Sequence, residues 1–180
     1  MDPAAALRQA VVAAAACVGC AACGAATAEE PQAPARGVSA PPAVVTAGEP
    51  AEVHRKVADA LARSGQPCRV TPERVVCEGD GERNASFYVV YRPYPARLLF
   101  GSPWLLKGPC GQAIEALNAF NWRYDELSAS CDERGTVIVQ SAYFVPEGGL
   151  TGDDVVAYAR WWTIAEVRAL QSSPVAPLLQ

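Results

Sequence analysis

No aromatic residue precedes Phe87, and all fourteen lie between Phe87 and Trp162. Large side chains carry most of the burial energy of a core. A chain that withholds them from its first eighty-six positions must therefore build its main core from the second half. The first fifty residues are mostly Ala, Pro, Gly and Val and have no comparable means of burying surface. From Pro50 to Ser172 there remain about 120 residues, an ordinary size for one domain.

The excluded N-terminus has an order of its own. Arg8 is the only basic residue before Arg36. An uncharged stretch follows from Gln9, most apolar at Ala10 to Val18. Ala26-Thr27-Ala28 then offers small residues at the −3 and −1 positions of a cleavage site before Glu29. Basic start, apolar run and A-x-A end describe a secretory signal, so residues 1–28 are read as a signal peptide and the mature chain as beginning near Glu29. The expected compartment is the periplasm or the exterior. A lipid anchor at Cys17, Cys20 or Cys23 is the alternative, and only that anchor would make a membrane a partner. Residues 29–50 hold five prolines without apolar periodicity and read as a solvated spacer. Residues 51–172 are the domain and 173–180 a tail.

Export bears on the seven cysteines. Three lie in the signal; the remaining four enter a compartment that permits disulfides. Four cysteines allow three pairings. Local geometry favours Cys68–Cys77, which face each other if Val70 pairs with Val75 across Pro72-Glu73, and Cys110–Cys131, brought together by a helix and a returning strand. Four free thiols are the alternative, because a cross-strand bridge needs a specific Cβ approach.

Within the domain, Val53, Val57 and Leu61 recur every four residues and predict a helix over 51–64, stopped by Gly65. His54, the single histidine, is assigned to its solvated side. Strands are expected at 68–71, 74–78, 86–92 and 97–100. The third is the clearest, with Phe87, Val89 and Tyr91 on one face and Tyr88, Val90 and Arg92 on the other. Arg92-Pro93-Tyr94-Pro95 is expected to break the ladder. A second helix is expected over 111–120, presenting Ile114, Leu117 and Phe120 or Asn121. A hairpin follows, 124–131 and 136–145, with Gly135 where the loop needs positive φ. The last helix starts after Gly149, with Thr151 as N-cap and Asp154 three residues on. The order α-β-β-β(β)-α-β-β-α lacks alternating crossovers and implies an α+β domain, an antiparallel sheet flanked by helices.

Ala116-Leu117-Asn118-Ala119-Phe120-Asn121 resembles the L-N-x-x-N end of the middle helix of the YbjN-like family, candidate bacterial sensory transduction regulators. Leu127 to Val139 is similar to that family's strand, acidic turn and strand. Gly148-Gly149-Leu150-Thr151 resembles its entry to the last helix. The likeness is strongest from Ala113 to Leu170; the part from Pro50 agrees in element order. It implies the fold of type III secretion chaperones, which often dimerise, and it implies no catalytic residues. The signal, the linker and the four mature cysteines depart from familiar cytoplasmic members.

The chemistry sought elsewhere is sparse. One histidine gives no Ser-His-Asp set. No G-x-S-x-G, G-x-x-x-x-G-K-[ST], G-x-G-x-x-G or H-E-x-x-H is present. Cys17, Cys20 and Cys23 have ferredoxin-like spacing, but Thr27 stands where a fourth cysteine is required. Asp80-Gly81-Glu82 and Asp132-Glu133 read as turns, and Asn84-Ala85-Ser86 as an incidental glycosylation pattern. No cofactor and no metal is expected. A formal charge of −4 offers no field for nucleic acid. What stands out is Trp161-Trp162. Val155, Tyr158, Trp162 and Ala165 suffice for a core stripe, so Trp161, with Trp104 or Trp122, is expected to form an interaction patch. The expected function is therefore a non-enzymatic exported envelope protein that binds another polypeptide or itself. An exported thiol-disulfide or hydrolytic enzyme, using Cys110 or His54, is the alternative.

Overall fold

The chain divides into two units, Met1–Val38 and Ser39–Gln180. The computed structural model describes residues 43–79 and 86–180, all within the second unit. The signal, the spacer up to residue 42, the Asp80-Gly81-Glu82 turn and Asn84 lie outside the described residues.

Alternation of apolar side chains builds the sheet. In β4 (Phe87–Pro93), Phe87, Val89 and Tyr91 are buried, while Tyr88 and Val90 face the other way and are partly exposed. Leu98 and Phe100 of β5 (Ala96–Leu105) continue the buried face, as do Val137 and Val139 of β7 (Thr136–Phe144). With β2 (Cys68–Val70), β3 (Val75–Cys77) and β6 (Ser128–Cys131), these strands form one antiparallel sheet in the order β2-β3-β4-β5-β7-β6. Helices α1 (Pro50–Arg63), α2 (Ile114–Arg123) and α3 (Gly152–Gln171) contribute Val57, Leu61, Leu117, Phe120, Val155 and Trp162 to the same core as that buried face. The α+β antiparallel architecture expected from the sequence is the one observed.

Local chemistry sets the helix ends. Thr151 Oγ1 accepts from the Asp154 N–H at 3.1 Å and the Asp154 carboxylate accepts from the Thr151 N–H at 2.8 Å, a reciprocal cap. Gly65 stops α1 with φ 89°, and Gly135 closes the β6–β7 hairpin with φ 78°.

Several expectations are corrected. The linker ends earlier than Pro50, because β1 (Ala43–Val45) pairs with β8 (Leu150–Thr151) and buries Val45. The 173–180 segment is no free tail. Val175 is buried, the Leu179 backbone bridges to Leu106, and the Gln180 N–H donates to the Leu105 carbonyl at 2.9 Å. Pro93 and Pro95 do not interrupt the ladder: Arg92 pairs with Arg97 and Pro93 with Ala96 around a two-residue turn containing a cis Tyr94–Pro95 bond. β5 runs on through Pro103 to Leu105, since β4 pairs only as far as Gly101 and leaves an edge on which proline is tolerated. Cys110–Gln112 is a 3₁₀ turn, which shifts the phase of α2; Ala113 is buried and Ile114 is exposed.

Cys68 pairs in register with Cys77, their Cα atoms 4.1 Å apart, and Cys110 lies 5.9 Å from Cys131. Both pairs stand at disulfide distance. The second spans 21 positions, for which chain entropy gives about 3 kcal/mol. Replacing Cys110 and Cys131 by serine should lower the unfolding free energy of oxidised protein by about that amount in urea titrations. Removing the bridge across nine positions should cost less. Four alkylatable thiols in protein freshly taken from its compartment would refute both bridges.

Candidate functional site

The end of α2 and the connection to β6 run beside α3 and leave an open groove of about 410 Å³. One wall carries Arg123, Tyr124, Asp125, Glu126 and Leu127; the other carries Trp161, Ala165, Arg168, Ala169 and Ser172. On α3 the residues 161, 165, 168 and 172 follow the spacing of one helical stripe, beside the stripe that enters the core.

Hydrogen bonds fix both ends of this groove. At one end the Ser141 hydroxyl donates to the Glu126 carbonyl at 2.6 Å, and the Tyr158 hydroxyl meets the same Ser141 oxygen at 2.6 Å. Tyr158 stacks on Tyr143, centroids 4.2 Å apart, and Trp161 leans on Tyr158 at 5.0 Å. At the other end the Arg123 guanidinium donates to the Ser172 carbonyl at 3.1 Å, and the Tyr124 hydroxyl meets Ser172 Oγ at 3.0 Å. Charged residues of both signs, Asp125 and Glu126 with Arg123 and Arg168, line the groove.

The three tryptophans of the expected patch do not share this place. Trp161 is 37% exposed and lines the groove. Trp122 is 89% exposed on α2. Trp104 is half-buried, its Nε1–H donating to Glu166 Oε1 at 2.6 Å with Ser102 Oγ at 3.1 Å. Trp162 is fully buried against Phe100.

Sequence reasoning missed Glu166. It is fully buried on α3 and accepts from the Ser102 hydroxyl as well as from Trp104. Burial pushes its carboxyl up to about 7, offset only in part by the Trp104 hydrogen bond. The available signal was position: Glu166 is four residues from Trp162 and three from Ala169, on the inward stripe. His54 was misplaced for the same reason. It is buried, not solvated, lying three, four and seven residues before Val57, Ala58 and Leu61. Its Nε2 accepts the Tyr91 N–H at 3.0 Å, a donor left without a strand partner because β3 begins only at Val75 opposite Val89. Burial lowers its pKa, with the Pro72 backbone acting the other way, and the neutral ring is what keeps Nε2 an acceptor.

Asn121 is a further missed role. Its side-chain oxygen accepts the Ala129 N–H at 2.7 Å and its amide donates to the Ala129 carbonyl at 3.0 Å. The side chain thereby takes the place of a neighbouring strand along the free edge of β6. Among the described residues no cluster of three or more His, Cys, Asp or Glu could hold a metal, and no helix is long and apolar enough to cross a membrane.

No family model matches the sequence, and no curated protein matches it. Among solved structures, the chain is similar to the crystal structure of YbjN, a candidate transcription regulator from E. coli. The TM-score is 0.51 at 15% identity, covering 68% of this chain and 91% of that one. The fold is YbjN-like. The resemblance carried by Ala113 to Leu170 therefore holds at the level of the fold, and at this identity it extends no further. In the YbjN-like frame, Asn121 at the end of the L-N-x-x-N segment has the structural task just described.

Glu166 yields a pH prediction. Its folded pKa, about 7, lies above the ordinary 4.5. The native state then binds more protons than the unfolded chain between those values, and stability falls as pH rises through that window. The loss should total about 3 kcal/mol. Urea unfolding at about pH 5 and about pH 8 should show this decline in the wild type and its removal in Glu166→Gln. An unchanged slope in the variant would reject the assignment.

Proposed function

We propose that this chain is an exported, non-enzymatic domain that acts by binding a polypeptide, with the α2–α3 groove as its docking surface. The observation that carries this reading is Trp161. A tryptophan on the side of α3, over a third exposed and lining a concave site, has the character of a binding anchor. The signal-like order of residues 1–28 and two cysteine pairs at disulfide distance support export. The buried, bonded state of His54 and the burial of Glu166 support a non-enzymatic role, because a group that acts on substrate must reach it. YbjN is described as a regulator; regulation by this acidic chain is read as working through protein contact, since a net charge of −4 gives nucleic acid no attraction.

Two measurements test this. N-terminal sequencing of protein from the native host should find a start at or near Glu29; residues before Cys17 would remove the export reading, and an acylated Cys20 or Cys23 would make the protein a lipoprotein. Replacing Trp161 by serine should cost only about 1 kcal/mol of stability, the scale of one aromatic pair, while abolishing capture of the bound polypeptide. Trp162→Ala, by contrast, should cost about 3 to 5 kcal/mol. Full retention of capture by Trp161→Ser would overturn the groove as the site.

A further inference from the structure

We propose that the outer face of the six-stranded sheet is a second binding surface, separate from the groove, and that it receives an extended acidic segment of a partner polypeptide. Helices α1, α2 and α3 pack on the other face, so Tyr88, Val90 and Arg92 point away from them. Charge is sorted between the elements. The strands of this sheet contain no Asp or Glu, yet they contain Arg69, Arg92 and Arg97. Arg69 lies opposite Val76, Val76 opposite Tyr88, and Arg92 opposite Arg97. Directly opposed residues share a face, which puts all three arginines on the outer side. Arg74, just before β3, joins them with its guanidinium 5.2 Å above the Tyr88 ring. A chain of net charge −4 thus gathers arginines where no helix covers them.

The Arg92–Arg97 pair is a liability to the fold, because like charges directly opposed in a ladder repel. Among the described residues the one ion pair joins Lys56 to Glu52, so neither arginine is neutralised there. A carboxylate from outside converts the repulsion into paired contact, since a guanidinium offers it two parallel N–H donors. The shape suits a chain. Arg74, Tyr88, Val90, Arg92, Leu99 and Gln140 line an open cavity of about 760 Å³, with the half-buried Val90–Leu99 pair as its apolar floor. Side chains of an extended segment alternate in direction, so acidic residues at every second position meet the arginines while the backbone crosses that floor. Glu73 also lines the cavity, its carboxylate accepting from Thr71 Oγ1 at 3.3 Å. Glu78 follows β3 at the end away from Arg92 and Arg97. Nucleic acid or an anionic membrane spreads its charge over a broad front and would also meet Glu49, beside Pro50 of the cavity, and Glu147, just past β7. A single segment meets the arginines alone.

Fluorescence anisotropy of a labelled peptide of alternating glutamate and valine, titrated with the oxidised protein, tests the surface. Wild type should bind it, less tightly as salt rises, and should ignore the same peptide with lysine for glutamate. Arg92→Thr and Arg97→Thr should each weaken binding about tenfold or more. Each should also hold or raise the unfolding temperature, because the opposed like charges are relieved. Arginines that merely support the fold would show the reverse, and loss of binding accompanied by a fall of several degrees overturns the proposal. So does a wild type that does not bind the glutamate peptide, or variants that bind it unchanged. Tighter binding to phosphatidylglycerol vesicles or to a single-stranded oligonucleotide than to the peptide would overturn the choice of partner. Trp161→Ser should bind the peptide as wild type does. If it does not, the acidic segment sits in the groove and the outer face is excluded as its site.

Discussion

The ring of Phe100 lies at the centre of β5 with Phe87, Tyr158 and Trp162 around it, at centroid separations of 6.2, 4.9 and 6.5 Å. This aromatic contact joins the middle of the sheet to the middle of α3, and the remaining elements take their positions from it. With Trp162 directed at Phe100, the geometry of a helix turns Glu166 toward Ser102 and Trp104 and leaves Trp161 on the flank. The groove is therefore a by-product of core packing: the stripe that cannot enter the core becomes one wall, and the connection after α2 becomes the other.

Around that contact the polar groups are handled one at a time. β3 is too short to accompany the whole of β4, so α1 lends His54 as an acceptor for the Tyr91 N–H. On the opposite face of the sheet, Tyr88 lies over Gly101, where a Cβ would come within 2.6 Å of the ring, and the Arg74 guanidinium sits 5.2 Å above that ring. A residue without a side chain and a residue with a large one thus share a single cross-strand pair.

Much of this was legible. Alternation at 86–92 marked β4 and its buried face, Val53, Val57 and Leu61 marked α1, and Thr151 with Asp154 marked the start of α3. The errors have two physical sources. Proline was read as a terminator at 93–95, whereas its missing donor costs little in a tight turn. Polar side chains were judged by type rather than by phase: His54 was assigned to solvent and Glu166 was passed over, yet both occupy inward positions of their helices, and the chain compensates them with hydrogen bonds. The exposed part of the site was read less completely. Trp161 was legible as surplus to the core stripe, but the groove it lines depends on the run Arg123 to Leu127 lying beside α3, a tertiary placement that no local pattern encodes.

The amide of Asn121 deserves a last consequence, which concerns how this domain fails. Its two bonds to Ala129 occupy the edge of β6 only while α2 holds its last turns. Helix ends open far more readily than whole domains. Each such opening uncovers a strand edge whose neighbours in the sheet are intact, a template for pairing with another molecule. Aggregation on prolonged heating should then follow the fraying of α2 and begin below the temperature at which the core melts. The helix end acts as a removable cover for that edge, fastened by one asparagine.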